Sequence, residues 1–344
     1  MISVLSYDLA WHLDPAAPRV LGRTTIRFEG GRTGVDLEAD EVLDASLNGG
    51  PVRWDVPLDG PNTLRVRALF PFGDRGFRRV VDPVDGQVYL YATNFPDTAR
   101  RTMCGFGDSW QRAPFALTAT VPPSWKCLAN GPAVVDAGEV RTFTPTAPIP
   151  RATVTAAAGP FVEVEDSVHV PRSRADVDAT AVADLVKASI AFFETLLGPF
   201  PYPKCDAVFV HGLPSLALST PGLILFDQAV LDRLADPLYA MTVISHEVAH
   251  TWSGNLVSTS RAVSEGLAVH LSRLFVEHVL GHPWDPPPTT PFPDRPYAPF
   301  LARIRQVEST MGRDAFLRSL HTIMTTNPHR HLPEPTFTAH WSER

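Results

Sequence analysis

The strongest constraint on the fold is a change in hydrophobic spacing part-way along the 344-residue chain. Up to about residue 165, short β-branched and aromatic segments are separated by Gly, Pro, Asn and Asp clusters, as at 47–51 and 59–62. After residue 170, apolar residues recur at helical spacing. A period of two predicts strands and a period near 3.6 predicts helices. The sequence therefore predicts an α+β chain: an antiparallel β-sandwich-like domain at 1–168, then a mixed α/β domain at 169–344.

Individual elements follow from the same patterns. The prolines are concentrated in one place, with eight between Pro283 and Pro299, which predicts a long loop there. We expect strands at 23–28, 63–68, 88–92, 116–121, 207–210 and 222–226, and helices at 178–197, 237–253, 261–280 and 300–326.

Composition and charge exclude several classes of protein. The formal net charge is −7, which argues against nucleic acid or an anionic membrane as a partner. The three cysteines are too few and too widely spaced for a disulfide framework. The sequence has neither a run of about 18 apolar residues nor a signal-peptide pattern, so we expect a cytoplasmic protein without a membrane partner. The Arg-rich, Lys-poor composition is typical of a GC-rich bacterial genome.

One pentapeptide carries the clearest chemical signal: His246-Glu-Val-Ala-His250. Residues four apart lie on one face of a helix, so both imidazoles can reach one metal ion. Glu247 then lies beside a metal-bound water and can take its proton. The pentapeptide alone is a weak signal, because a catalytic site needs a third ligand.

Glu265 is the candidate for that third ligand. It stands in the segment 264–268 (SEGLA), at the start of the next predicted helix. Two His and one Glu with an open fourth position are typical of a catalytic zinc site, and the absence of a nearby Cys favours Zn²⁺ over other metals. Glu277 is a rival ligand, but it lies far along the second helix.

These segments resemble one family of zinc peptidases. Residues 246–257 (HEVAHTWSGNLV) resemble the H-E-x-x-H-x-W-x-G-N-x-V zinc helix of the aminopeptidase N and leukotriene-A hydrolase family, and 264–268 resemble its N-E-G-F-A segment. Residues 91–101, 115–125, 129–132 and 193–204 are similar to further parts of that family. The resemblance implies a β-rich N-terminal domain followed by a thermolysin-like catalytic domain that holds one Zn²⁺.

The resemblance also implies a second catalytic residue, Tyr297. In the family, a Tyr after the second zinc helix donates a hydrogen bond to the developing oxyanion. The spacing from Tyr297 to Glu308 and Gly312 matches the family pattern without a gap. The alternative is a Tyr that only packs within the proline-rich loop.

The sequence departs from the family in the connection between the two zinc-binding helices. Only 14 residues, 251–264, separate His250 from Glu265, four fewer than in the family. Glu265 can still return to the metal if the missing residues lie in the loop, and 258–260 are loop-like.

A second departure concerns recognition of the substrate. The family's G-A-M-E-N segment is replaced by residues 216–220 (LALST), which puts Ser219 where the resemblance implies a Glu that binds the substrate's α-amine. Asn94 keeps an amide in a shortened upstream segment that also loses its Glu. We take Asn94, Ser219 and Thr220 as substrate-binding candidates. An ammonium without a carboxylate partner is poorly stabilised, so a free N-terminus should be recognised weakly unless Asp227 or another subunit supplies the charge.

The sequence is therefore interpreted as a zinc-dependent metallohydrolase that cleaves an amide or peptide bond of a peptide or small molecule, and that is not a general aminopeptidase. The alternatives are other chemistry at the same zinc, such as epoxide opening or cyclisation, and a non-catalytic scaffold. We expect the family's C-terminal helical domain to be absent, with the cleft either open or covered by a partner subunit.

Overall fold

The computed structural model describes residues 2–31, 34–53, 57–108, 110–284 and 298–341. The chain divides into two compact units. The first comprises Met1–Val162, His169–Ala175 and Val210–Pro214. The second comprises Glu163–Val168, Asp176–Phe209 and Ser215–Arg344. The chain thus alternates between the units through short segments in the region where the sequence predicts a single boundary.

The first unit is built from strands. In chain order they are β1 Ser3–His12, β2 Arg19–Glu29, β3 Glu41–Leu47, β4 Gly50–Pro51, β5 Pro61–Pro71, β6 Gly76–Val81, β7 Val88–Thr93, β8 Arg112–Ala113, β9 Phe115–Thr120, β10 Lys126–Ala129, β11 Ala133–Ala137, β12 Val140–Phe143, β13 Ile149–Pro150 and β14 Ala156–Gly159. An eight-stranded sheet has the order β11-β12-β9-β1-β2-β5-β3-β4, and a four-stranded sheet has the order β10-β14-β7-β6.

The apolar faces of these two sheets form a common core. Trp11 of β1 packs edge-on against Phe77 of β6, with ring centroids 5.1 Å apart, and Phe70 of β5 lies 5.9 Å from the same ring. Alternation along β5 places every second side chain in this core. The predicted β-sandwich-like domain is confirmed, although β1 and β9 pair in parallel rather than antiparallel.

The later part of the chain combines helices with a smaller sheet. Its strands are β15 Phe161–Glu165, β16 Val168–Pro171, β17 Asp206–Val210, β18 Ala217–Thr220, β19 Leu223–Asp227, β20 Val257–Ser258 and β21 Arg330–His331. Five of them form a sheet of order β15-β16-β17-β19-β18, and β20 pairs with β21. The helices are α1 Thr180–Leu197, α2 Pro237–Ala249, α3 Arg261–Leu280, α4 Ala298–Met311, α5 Arg313–Thr326 and α6 Glu334–Ala339.

Capping residues explain where the two central helices begin. Asp236 accepts hydrogen bonds from the backbone N–H groups of Leu238 and Tyr239, and Pro237 occupies the first turn of α2. Ser260 caps α3 in the same way, and Gly281 ends α3 at φ 71°. The predicted helix at 261–280 is confirmed, whereas α2 ends at Ala249 rather than at the predicted residue 253.

One predicted helix is wrong in its extent. The sequence predicts a single helix over 300–326, but the structure breaks it into α4 and α5 at Gly312. Gly312 has φ 79°, a left-handed conformation that is not helical and that glycine adopts without strain. The apolar periodicity continues through Gly312, so the periodicity does not reveal the break.

Helices α2 and α3 pack against each other through polar as well as apolar groups. The Ser245 and Ser272 hydroxyls lie 2.8 Å apart, and Ser272 Oγ also donates to the Thr242 carbonyl at 2.9 Å. These buried contacts fix how far α3 can slide along α2. Among the described residues, no helix is long and apolar enough to cross a lipid bilayer.

Candidate metal centre

The last turn of α2 supplies two imidazoles and a carboxylate. His246 and Glu247 lie in the helix, and His250 is its C-cap residue with a helical φ of −61°. The four-residue spacing therefore puts both rings on one face, and their Nε2 atoms lie 3.2 Å apart. The two ring planes are nearly perpendicular, at 87°.

Helix α3 brings Glu265 to the same position. Its Oε2 lies 3.5 Å from Nε2 of His246 and 3.5 Å from Nε2 of His250. Among the described residues, these three form the one cluster of His, Cys, Asp or Glu that could hold a metal ion. The shortened connection between the helices therefore does not prevent Glu265 from meeting the two histidines.

The rival ligand Glu277 lies in a different environment. Its carboxylate pairs with Arg273 at 2.8 Å and with Arg313 at 3.2 Å. It is therefore part of an ion-pair network that joins α3 to α5, and it is not brought to the histidine cluster.

The loop after α2 orients the His250 ring. Nδ1 of His250 lies 3.0 Å from the Ser253 carbonyl, to which a protonated Nδ1 donates. Ser264 Oγ donates to the same carbonyl at 2.8 Å, so the end of α2 and the start of α3 share one acceptor in the loop. Gly254, at φ 124°, leaves no room for a side chain, because a Cβ there would lie 2.7 Å from Ser264 Oγ. With Nδ1 protonated, the lone pair of Nε2 faces the cluster, which is the tautomer a metal ligand needs.

Burial and mutual contact shift the ionisation of the cluster. Burial lowers the pKa of His246 to about 4. Burial also opposes charge on His250, but the hydrogen bond to Glu265, the charges of Glu265 and Glu247, and the hydrogen bond to the Ser253 carbonyl together outweigh burial and raise the pKa of His250 to about 9. Burial raises the pKa of Glu265, yet hydrogen bonds from both imidazoles outweigh this and lower it below its usual range. The ligand-free site therefore keeps a proton on one ring, which a bound cation would displace.

Glu247 is the most perturbed carboxyl group that does not belong to the cluster. Burial raises the pKa of Glu247 to about 7, while the backbone N–H of Ser219 donates to its carboxylate. Its carboxylate is held by this contact with β18. A carboxyl group with a pKa near neutrality can both accept and return a proton, which is what a general base followed by a general acid must do.

Strand β18 places Ser219 next to this carboxylate. β18 and β19 form a hairpin in which Ser219 is opposite Ile224, and Gly222 at the turn has φ 76°. The Ser219 hydroxyl accepts a hydrogen bond from Asn255 Nδ2 at 3.2 Å. Ser219 is therefore tied to the loop after α2 by its side chain and to Glu247 by its backbone.

Thr220 and Asn94, the other two substrate-binding candidates, are both buried. Thr220 is buried, and its hydroxyl donates to the Leu223 carbonyl at 2.7 Å within the hairpin. Asn94 is fully buried in the first unit, where its Nδ2 donates to the Val154 carbonyl and its Oδ1 accepts from Thr102. Both side chains are engaged in internal hydrogen bonds, and their role as substrate contacts stays a prediction.

The remaining predicted residues are Tyr297 and Asp227. Tyr297 lies outside the described residues. Asp227, the possible substitute carboxylate, caps the 3-10 helix Gln228–Arg233 by accepting from the backbone N–H of Ala229 at 2.9 Å.

Sequence reasoning missed the serine and asparagine residues that support the site. Ser253, Ser264 and Asn255 all lie within or beside the motif segments, yet the motif shows only that they are small and polar. Their hydrogen bonds run between a helix, a loop and a strand. Only folding brings those elements together.

The chain is similar to known peptidases in sequence and in fold. Residues 182–341 match the Peptidase family M1 domain. Aminopeptidase N of Streptomyces lividans is 30% identical over 294 residues, which cover 75% of this chain and 34% of the relative. Aminopeptidase M1-D of Oryza sativa subsp. japonica is 28% identical over 292 residues, covering 76% of this chain and 32% of the relative. The structure of yeast LTA4 hydrolase in complex with bestatin superimposes with a TM-score of 0.83 at 16% identity, covering 98% of this chain and 64% of that one.

Residues 182–341 therefore form a Peptidase family M1 domain, and the chain is similar in sequence to aminopeptidase N and in fold to LTA4 hydrolase. The predicted family and the predicted α+β fold are both confirmed. The chain spans about a third of the length of the two curated relatives, 34% and 32%.

Proposed function

We propose that this chain is a zinc-dependent metallohydrolase that cleaves an amide or peptide bond. His246, His250 and Glu265 would hold the Zn²⁺, and Glu247 would act as the general base. The observation that carries the proposal is the convergence of these three ligand atoms beside a buried carboxyl group with a raised pKa.

The spacing of the ligand atoms fits zinc. Zn–N and Zn–O bonds of about 2.0–2.1 Å in a tetrahedron put neighbouring ligand atoms about 3.3–3.4 Å apart. The three separations in the cluster are 3.2, 3.5 and 3.5 Å. Two imidazoles and one carboxylate also leave a fourth position for water or substrate, which is the composition of a catalytic site rather than a structural one.

Each group in the site has a separate role in the proposed hydrolysis. Bound zinc would lower the pKa of a water molecule and polarise the scissile carbonyl. Glu247 accepts the proton of the attacking water and returns it to the leaving nitrogen, and the Ser219 N–H keeps its carboxylate in place between these steps. We assign the hydrogen bond to the developing oxyanion to Tyr297.

The substrate proposal follows from Ser219. Its side chain carries no charge, and it accepts a hydrogen bond from Asn255 at 3.2 Å. A substrate ammonium placed beside it would find a neutral hydroxyl in a partly buried site, and such an unpaired charge is costly. We therefore propose that the substrate presents a neutral group there, as an N-acylated peptide or amide does.

Purified protein should be assayed against paired substrates, each amide supplied with a free α-amine and with an N-acetyl group. We expect the N-acetylated substrate to have the larger kcat/KM. Activity should disappear on dialysis against a chelator and return with Zn²⁺. Turnover that survives complete metal removal would contradict the zinc proposal. A free-amine substrate that is preferred over its acetylated partner would contradict the substrate proposal alone.

A further inference from the structure

The residues near the end of the described chain contact the short connection between the two zinc-binding helices. Strand β21 pairs in parallel with β20, with Val257 opposite Arg330 and Ser258 opposite His331. The Leu332 N–H donates to the Ser258 carbonyl at 2.8 Å, and the Ser258 hydroxyl lies 3.2 Å from Nδ1 of His331. The connection is therefore held by a segment more than 70 residues further along the chain.

The same segment reaches the residue that starts α3. Ser260 Oγ donates to Glu334 Oε2 at 2.7 Å and accepts from the Val263 N–H at 3.4 Å. The Ser264 N–H donates to the Ser260 carbonyl at 3.0 Å. Glu334 thus fixes the hydroxyl that caps the helix, and the cap fixes the first turn.

The position of Glu265 depends on that first turn. Helix α3 begins at Arg261, so Glu265 lies only one turn from the cap. The loop of the connection is also constrained, because its Ser253 carbonyl is hydrogen-bonded to both His250 and Ser264. A shift of the helix start would therefore move the Glu265 carboxylate relative to both imidazoles.

We propose that Glu334 is a positioning residue for the metal centre, acting through Ser260 on Glu265. This inference rests on the proposed function, because it concerns the affinity of the same site for Zn²⁺. Glu334 begins α6, where the fully buried side chain of Phe337 anchors the segment, so the acceptor for Ser260 is held in place.

A second contact of Glu334 supplies a matched control. Its Oε1 lies 3.7 Å from Nη1 of Arg303 on α4, in an exposed ion pair. Replacing Arg303 removes this pair and leaves the hydrogen bond to Ser260. Exposed ion pairs contribute little, so the Arg303→Gln variant isolates the contact that matters.

The dissociation constant for Zn²⁺ should be measured by competition with a chromogenic chelator. We expect Glu334→Ala to weaken Zn²⁺ binding about tenfold. Changing a residue that orients a metal ligand typically lowers metal affinity about 10–100-fold, and Glu334 acts only indirectly on Glu265. Glu334→Gln keeps an oxygen that can accept from Ser260 and should recover most of the affinity. The Zn²⁺ affinity of Arg303→Gln should stay within about twofold of the wild type.

The unfolding temperatures of metal-free and Zn²⁺-loaded protein should be compared as well. A purely structural role of Glu334 predicts that Glu334→Ala lowers both unfolding temperatures equally. A positioning role predicts that Glu334→Ala reduces the rise in unfolding temperature that Zn²⁺ adds.

A double variant tests the route through Glu265. In a Glu265→Gln background, Glu334→Ala should cause no further loss of Zn²⁺ affinity, since the group it positions has been changed. Unchanged affinity in Glu334→Ala, or an equal loss in both backgrounds, would overturn this inference while leaving the proposed function intact. Failure of the wild type to bind Zn²⁺ at all would overturn the proposed function and the inference together.

Discussion

The two sides of the candidate site differ in how closely they follow the family. On the helix side, α2 and α3 keep both imidazoles, Glu247 and Glu265, and ligand atoms converge to within 3.5 Å despite the shorter connection. On the strand side, β18 presents Ser219 where the resemblance implies a carboxylate. Under the proposed function, the groups for bond cleavage and those for substrate recognition therefore lie on separate elements, so that one set can change without the other.

The largest effect is expected on the helix side. His246→Ala removes one of three ligands, so Zn²⁺ affinity should fall by at least about a hundredfold, more than for loss of an outer partner. Zinc content after dialysis, measured by atomic absorption, checks this. His278→Ala is the matched control, because that ring lies on the exposed part of α3 and stacks on Phe192. Full zinc content in His246→Ala would show that the cluster is not the metal site.

Glu247→Gln should separate binding from catalysis on the same side. The amide has nearly the same shape but cannot accept the proton, so kcat should fall about 10²–10⁴-fold while zinc content stays near one ion per chain. Glu247→Asp, which keeps the charge but shortens the side chain, should give an intermediate rate. Loss of zinc together with activity in Glu247→Gln would mean that Glu247 supports the metal rather than the proton transfer.

Ser219→Glu would make the strand side resemble the family. A carboxylate there can pair with a substrate ammonium, so kcat/KM for free-amine substrates should rise about tenfold or more relative to their N-acetylated partners. Ser219→Gln has the same size without the charge and should not produce the rise. If both variants change kcat/KM by the same factor for free-amine and N-acetylated substrates, Ser219 does not face the substrate's terminal group.

The helix side was largely predictable from sequence, and the reason is local. The spacing of His246 and His250 translates directly into proximity on a helix, and Ser260 and Gly281 mark the limits of α3. Glu265 required one further step, the assumption that a loop four residues shorter still closes. The structure meets this condition through the Ser253 carbonyl, which the sequence does not reveal.

The strand side and the first unit show what sequence patterns alone leave open. Asn94 and Thr220 are polar residues in segments that resemble family motifs, yet both are buried and used in internal hydrogen bonds. Sequence patterns indicate that a side chain can bind a ligand, but not whether the fold has already supplied its partner. The break at Gly312 escaped prediction for a related reason, since apolar spacing continues through it.

The smallest effect is expected where the two sides meet. Asn255 follows α2, its backbone N–H donates to the His250 carbonyl at 3.0 Å, and its side chain donates to Ser219 on β18. Asn255→Ala should lower the free energy of unfolding by about 1–2 kcal/mol, the usual cost of removing one partner of a buried hydrogen bond. Chemical denaturation of metal-free protein measures this without interference from zinc.

A double-mutant cycle with Ser219→Ala then tests whether this bond couples the two sides. The losses of unfolding free energy in the two single variants, added together, should exceed the loss in the double variant by about 0.5–1.5 kcal/mol. The reason is that the second change removes a hydrogen bond that the first has already broken. Asn255→Ala should also lower kcat/KM for the N-acetylated substrate by a few-fold, since it releases the strand whose N–H holds Glu247. Additive free energies with unchanged kcat/KM would mean that the helix side keeps Glu247 in place without help from β18, and that the two sides are independent in mechanics as well as in sequence.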